Sequence, residues 1–318
     1  MKKILITGGA GFIGSHLIDK LLQSGDFSVI CIDNFDPFYD VSIKRSNISQ
    51  HIGNPLFKLI ELDIRNYNNI EEKLSDNYDI IVHLAAKAGV NPSVKDPISY
   101  QIVNVIGTQN ILEFCRKKNI KQFVFASSSS VYGINASVPW SENDKQLQPI
   151  SPYASSKISA ELLGHTYSHL FGIRFISLRF FTVFGPRQRP DLAIHKFSKM
   201  ILNNEEITLY GDGSTGRDYT YVDDVVNGIV AAMTYNASMY EIFNLGNHRI
   251  VKLSELIEHL ERTFEKKAKL KYLEEQQGDV PVTYASICKA TEKLNYKPST
   301  TLAEGLLKFR EWLLNQNK

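Results

Sequence analysis

The sequence predicts an α/β fold, a doubly wound parallel sheet with a smaller α/β lobe. Short, continuously apolar runs alternate with longer helix-like segments up to about residue 180. A glycine-rich turn, Gly8-Gly9-Ala10-Gly11-Phe12-Ile13-Gly14, joins the first run to the first helical segment. The chain has 318 residues, 43% of them hydrophobic, enough for one large domain or two closely joined ones.

The β-branched runs are Ile4–Thr7, Val29–Ile32, Phe57–Leu62, Ile80–Leu84, Phe123–Ala126 and Phe175–Leu178. Their lack of polar alternation is what parallel strands buried on both faces require. Helix-like segments fall between them at Phe12–Ser24, Ile70–Ser75, Ile98–Lys117 and Tyr153–Leu170. A β-α-β-α succession implies right-handed crossovers, helices on both faces, and ligands beyond the carboxyl ends of the strands. After Thr182 the pattern loosens. Gly185–Pro190 and Gly211–Ser214 read as loops, and helical pieces follow at Ile194–Leu202, Asp223–Thr234, Ser254–Phe264 and Leu302–Leu314. Residues 1–182 are expected to form a Rossmann domain, with 221–248 returning to it. Residues 183–318 should mainly form the smaller lobe, where substrate binds.

Composition narrows the partners. With 36 Lys+Arg against 34 Asp+Glu, the charge of +2 gives no reason to expect nucleic acid or a membrane surface. Cys31, Cys115 and Cys288 are odd in number and lack a Cys-x-x-Cys pair, which argues against a disulfide framework or zinc site. The apolar start stops at Thr7-Gly8-Gly9, too short for a signal peptide, and no run approaches the ~18 residues of a membrane helix. A cytoplasmic protein is the expectation.

Gly8, Gly11 and Gly14 have the spacing of a dinucleotide fingerprint. The first permits the tight turn, the second lets backbone approach a pyrophosphate, and the third lets helix and strand pack closely. Asp33 closes the second run, 19 residues beyond Gly14. A carboxylate there binds ribose hydroxyls and repels a 2′-phosphate, so the expected cofactor is NAD rather than NADP. Asp63, ending the third run, fits a contact to the adenine amino group.

Tyr153-Ala154-Ser155-Ser156-Lys157 puts Tyr and Lys on one face of a helix. The fifth run ends in Ser127-Ser128-Ser129-Ser130 at the same sheet edge. Oxidising a secondary alcohol needs a base for the hydroxyl proton as hydride leaves carbon. A free tyrosine, pKa about 10, is ionised only about once in 10³ at pH 7. A neighbouring Lys⁺ and a positive nicotinamide favour the phenolate, and a serine hydroxyl can hold the substrate oxygen. His165 and His169, four apart, lack a third ligand and are expected at the surface or an interface, not on a metal. His83 is expected to be a satisfied core group, and Lys44 and Arg45 to lie on a solvated helix.

Together these residues resemble the extended short-chain dehydrogenases/reductases, in the NAD-dependent sugar-nucleotide epimerase/dehydratase family. The resemblance covers essentially the whole chain. It includes Leu84-Ala85-Ala86-Lys87, Asn104, Arg179-Phe180-Phe181-Thr182, Arg217-Asp218-Tyr219, Asp223-Asp224 and Gly278-Asp279-Val280-Pro281. It implies a catalytic set of Ser128, Tyr153 and Lys157. It implies cofactor contacts from Phe12, Ile13, Asn34, Ile64, Leu84, Ala85, Ala86, Lys87, Asn104 and Phe180, beside the three glycines, Asp33, Asp63, Tyr153 and Lys157. Arg217, Gln276 and Asp279 are implied to face a nucleotide diphosphate, and Tyr153–Leu170 to pair with Ile98–Lys117 across a homodimer interface.

Within that family the resemblance is to UDP-sugar 4-epimerases. Dehydratases and decarboxylases of the family carry an acidic residue where this chain has Ser128, Ser129 and Ser130. The stretch Arg179–Asp191, and Asp33-Asn34-Phe35 leading to Tyr39-Asp40, resemble the UDP-glucuronate enzymes. Arg189, helped by Thr182, is the expected partner of a sugar carboxylate, with Arg187 second. Thr283, where some relatives carry a bulky aromatic, leaves room for an N-acetyl group, so UDP-N-acetylglucosamine and UDP-glucose are alternative substrates. A lyase or a non-catalytic NAD-binding regulator are the other readings.

Overall fold

The computed structural model describes residues 1–135, 137–144, 146–274 and 280–316. Its strands are β1 (Lys2–Thr7), β2 (Phe27–Asp33), β3 (Phe57–Glu61), β4 (Ile80–His83), β5 (Gln122–Ser128), β6 (Arg174–Phe180), β7 (Thr182–Phe184), β8 (Glu206–Tyr210), β9 (Gly216–Tyr221), β10 (Tyr240–Leu245), β11 (Ile250–Lys252) and β12 (Lys269–Leu273). Seven form one sheet in the order β10-β6-β5-β4-β1-β2-β3, every pair parallel. The chain winds outward from β1 in both directions, so strand order reverses between β1 and β4, where such sheets open a crevice. Two small sheets, β11-β9-β7 and β12-β8, build the remainder.

Both faces of the large sheet are buried, which explains the unbroken apolar runs. Ile4, Ile6, Val29, Cys31, Val124 and Ile176 belong to one core cluster. Their strand neighbours Leu5, Ile30, Ile32, Phe123 and Phe175 belong to the other. Each residue step crosses the sheet, and each side meets a helical layer. Among the described residues no helix is long and apolar enough to cross a membrane.

The expected helix over Ile98–Lys117 is not uniform. An α-helix at Pro97–Gln101 runs into a π-helical turn at Ile102–Ile106 and resumes as α at Gly107–Lys117. The wider turn goes with the inward bonding of Asn104, 1% exposed between Ile102 and Ile106 at 42% and 50%. The predicted helix at Ile70–Ser75 lies earlier, at Tyr67–Lys73, because Asn66 caps it by accepting from the Asn69 N–H.

Pro152–Phe171 forms a twenty-residue helix. Ser151 accepts from the Ala154 N–H at 3.1 Å, Pro152 occupies the first turn, and Gly172 ends it in the left-handed region at φ 63°. A buried ion pair, Arg179 Nη2 to Glu161 Oε2 at 2.8 Å, bolts the helix to β6. Ser177 adds a hydrogen bond to Glu161 Oε1 at 3.0 Å. That fixes the rotation of the helix, and with it the direction of Tyr153 and Lys157.

Candidate active site

The cleft at the switch in strand order has a volume of about 510 Å³. The glycine turn forms its floor. Gly8 has φ +69°, and a Cβ there would lie 2.7 Å from the Ala85 nitrogen, so backbone passes backbone at a distance only glycine tolerates. Gly14 is equally confined, its hypothetical Cβ 2.5 Å from the Gly8 oxygen. At Gly11 only the Gly8 oxygen, at 3.2 Å, stands near such a Cβ. The other side is an open cradle that a side chain would fill. The helix Phe12–Ser24 begins here with no side-chain cap and no acidic residue in its first turn. Its unpaired N–H groups and positive dipole end therefore face the cleft, as a pyrophosphate requires.

Gly8, Gly11, Phe12, Ile13, Gly14, Asp33, Asn34, Asp63, Ile64, Leu84, Ala85, Ala86, Lys87 and Phe180 all line this one cleft. Asp33 is buried, accepting from the Ala10 N–H at 3.2 Å and the Phe35 N–H at 2.9 Å. Burial raises its carboxyl above the ordinary value, while those N–H groups and the charge of Lys44 oppose the rise. Asp63 reaches the wall already engaged. It accepts from Asn34 Nδ2 at 3.1 Å and forms a fork with Arg65, which pulls its carboxyl down to about 2.

Ser128, Ser129, Ser130, Tyr153, Lys157, Phe180, Thr182 and Arg189 line the other end. Ser128 Oγ accepts from the Ser130 N–H at 3.2 Å. Lys157 is buried and donates to the Ala126 carbonyl at 2.7 Å, its ammonium 5.9 Å from the centre of the Tyr153 ring. Burial pushes Lys157 down to about 7, against the pull of Glu161. Burial raises the Tyr153 phenol above the ordinary value, opposed by hydrogen bonding to Ser128 and by the charge of Arg189. One of the three ammonium donors of Lys157 is used on a backbone carbonyl.

Several residues expected at the site do not line this cleft. Asn104 is not part of the cleft wall but works one layer behind it. Its Oδ1 accepts from the Lys87 N–H at 2.8 Å, and its Nδ2 donates to Lys87 O and Ser156 Oγ, both at 2.9 Å. It thereby ties the loop after β4 to the helix of Tyr153. Arg187 turns from the cleft to Asp19 at 2.7 Å, its backbone in the left-handed region at φ 63°. Arg217 is not on the wall, and donates from Nη1 to Gly216 O at 2.8 Å. Thr283 is also off the wall and is turned to the backbone N–H of Asp218, at 3.1 Å. Gln276 and Asp279 lie outside the described residues.

Lys44, expected in solvent, is buried on the cleft wall and donates to Asp36 O at 2.8 Å. The cause is a long-range contact: Asn47 Nδ2 bonds Ala10 O at 3.0 Å and folds the helix Val41–Ile48 over the glycine turn. Arg45 does face solvent. Phe38, Tyr39 and Leu192 are further wall residues that sequence reasoning missed. A cation eleven residues after a ribose-type Asp was the one available signal for Lys44. His83 is satisfied in the core, between Thr7 Oγ1 at 2.7 Å and Thr108 Oγ1 at 2.9 Å. His165 and His169 are exposed, and no cluster of metal-ligating residues occurs among the described residues.

The chain is 40% identical over 311 residues to the UDP-glucuronate 4-epimerase of Thermodesulfobacterium geofontis, covering 97% of this chain and 95% of that one. The crystal structure of UDP-glucuronic acid 4-epimerase from Bacillus cereus, in complex with UDP-glucuronic acid and NAD, superposes with a TM-score of 0.91. It is 37% identical, with 99% of each chain covered. The UDP-glucose 4-epimerase of Thermotoga maritima, with UDP-glucose, has the same TM-score at 33% identity, covering 99% of this chain and 100% of that one. The family model described as NAD dependent epimerase/dehydratase matches residues 4–246, three quarters of the chain and nearly every wall of the cleft. With the fingerprint turn, Asp33 and the Ser128–Tyr153–Lys157 set in one crevice, the chain belongs to the NAD dependent epimerase/dehydratase family.

Proposed function

We propose that the protein is an NAD-dependent UDP-sugar 4-epimerase that interconverts UDP-glucuronate and UDP-galacturonate. The observation that carries this is one cleft with a dinucleotide cradle at one end and Ser128, Tyr153, Lys157 and Arg189 at the other. NAD, when bound, supplies the acceptor and then the donor of the carbon-4 hydride. Gly8, Gly11, Gly14 and the helix start would hold its pyrophosphate, with Asp33 and Asp63 at the adenosine end.

Tyr153 takes the 4-hydroxyl proton and later returns it, with Ser128 holding the oxygen. Lys157 orients the ring and stabilises the phenolate. After oxidation the 4-keto sugar rotates to present its other face. Among the described residues, the carboxylates on the wall are Asp33, which ends β2, and Asp36 and Asp63, which follow β2 and β3. Among the described residues of the wall, none of these acids belongs to the segment of Ser128–Ser130, where a base for the carbon-5 proton would stand, which favours epimerisation over dehydration. A 4-ketone makes the carbon-5 carboxylate that of a β-keto acid, which loses carbon dioxide when its C–C bond aligns with the carbonyl π system. Arg189, with Thr182, would hold the carboxylate out of alignment.

Residues 183–318 would mainly supply the sugar-nucleotide lobe, with Arg217, Gln276 and Asp279 toward the diphosphate. The exposed Ile98, Ile102 and Ile106, and the exposed Leu162 on the Tyr153 helix that packs against their segment, fit a homodimer interface. The three free cysteines, two of them buried, fit the cytoplasm. The test is turnover on UDP-glucuronate, UDP-glucose and UDP-N-acetylglucosamine, with epimers resolved by NMR, for wild type and Arg189→Ala. The expected result is preference for the uronate, lost selectively in the variant. Preference for a neutral sugar, or release of carbon dioxide as the main reaction, overturns the proposal.

A further inference from the structure

Arg189 reaches the cleft wall with part of its donor set already used. A guanidinium carries five N–H groups arranged as two flat edges, each able to grip a carboxylate with parallel hydrogen bonds. The Nε–Nη2 edge holds Asp191, with Nε to Oδ1 at 3.0 Å and Nη2 to Oδ2 at 2.6 Å. On the Nη1–Nη2 edge, Nη1 and the second N–H of Nη2 have no hydrogen-bond partner among the described residues. The guanidinium also lies 5.3 Å from the ring centre of Phe38, another wall residue. Arg189 and Leu192 line the cleft, whereas Asp191 does not.

The backbone around Arg189 is anchored from several elements. Pro186 O meets His16 Nε2 at 2.9 Å, and Arg187 is paired with Asp19. Gln188 Nε2 donates to Val183 O at 3.1 Å, while Gln188 O meets His195 Nδ1 at 2.6 Å. An anchored backbone still leaves a long side chain free to rotate about its own bonds. Asp191, which does not line the cleft, removes that freedom, and it does so on one edge only.

We propose that Asp191 is a positioning residue that sets substrate choice: it holds Arg189 side-on, so that the open edge of the guanidinium meets the carboxylate of an anionic sugar. This rests on the reading of the cleft as a UDP-uronate site. A competing role, in which Asp191 occupies the place of the substrate carboxylate, would need the two acids to share an edge, and a second edge stands open.

The test uses the purified holoenzyme and measures Kd for UDP-glucuronate and UDP-glucose, with kcat/KM on UDP-glucuronate. Wild type must first bind the uronate more tightly; if it does not, the functional reading fails, and this inference with it. Asp191→Asn keeps the size and removes the charged fork. Its Kd for UDP-glucuronate should rise roughly 10- to 100-fold, as expected when a binding group is misplaced. Its Kd for UDP-glucose should stay unchanged. Asp191→Glu should recover part of the loss. In an Arg189→Ala background, Asp191→Asn should add nothing, because the two act as one unit. Equal weakening for both sugars, a full added loss in the double variant, or tighter uronate binding by Asp191→Asn would each overturn the proposal.

Discussion

Replacing Lys157 with methionine should make the protein more stable and less active at once. The ammonium is buried, has one hydrogen bond to Ala126 O, and is pushed from its ordinary 10.5 down to about 7. Each tenfold of that fall is worth about 1.4 kcal/mol, so the charged form costs the folded state about 5 kcal/mol below pH 7. Between pH 7 and 10.5 the unfolded chain keeps the proton and the folded protein has released it. Stability therefore rises with pH through that window, by roughly 2–3 kcal/mol from pH 6 to pH 9. Methionine fills a similar volume without charge, so this dependence should vanish. It leaves Ala126 O without its donor, a loss of about 1–3 kcal/mol. The variant should thus be roughly 2–4 kcal/mol more stable at pH 6, with an advantage that shrinks by 2–3 kcal/mol at pH 9. Urea unfolding of both proteins at equal concentration, at pH 6, 7.5 and 9, measures the difference. A difference that stays constant across these pH values would refute the argument.

Tyr153→Phe should lower kcat by about 10²–10⁴-fold while Kd for the sugar nucleotide barely moves, since the lost hydroxyl handles a proton. Titration calorimetry beside turnover separates the two, and a large loss of binding with near-normal kcat counts against the role. Asp33→Asn should narrow the preference for NAD over NADP by removing a negative charge from the ribose site. The comparison is kcat/KM with each cofactor in stripped protein, and an undiminished preference contradicts it. Glu161→Gln should cost about 3–5 kcal/mol, because it leaves the Arg179 charge buried and uncompensated. Urea midpoints check this, and a negligible shift would mean that water reaches the pair.

What the sequence disclosed is what local chemistry can encode. The glycine turn, Asp33, and the Tyr153–Lys157 spacing are each read within one element, and the apolar runs report two buried sheet faces directly. What it concealed depends on contacts across long stretches of chain. Lys44 looks solvated until Asn47 is seen bonded to Ala10, 37 residues away. Arg187 and Arg189 differ by two positions in similar sequence. Only the fold sends one to Asp19 and the other to the cleft. Asn104 was visible as a site residue, but not as the strut between Lys87 and Ser156, which needs three separate segments brought together.

The π turn at Ile102–Ile106 has a consequence for insertions and deletions. Such a turn amounts to one extra residue accommodated in an α-helix without breaking it. Deleting one residue from this turn would let the helix close into regular α geometry, a change that a fold tolerates. The flanking segments would keep nearly their present rotation, because five residues at the wider π winding turn through about the same angle as four α residues, but the wide turn that aims Asn104 inward would be gone. Asn104 could no longer reach both Lys87 and Ser156 while the flanking segments kept their packing. A single codon therefore separates a chain that merely folds from one whose two halves of the site are held in register, and length variation in this family should avoid this helix.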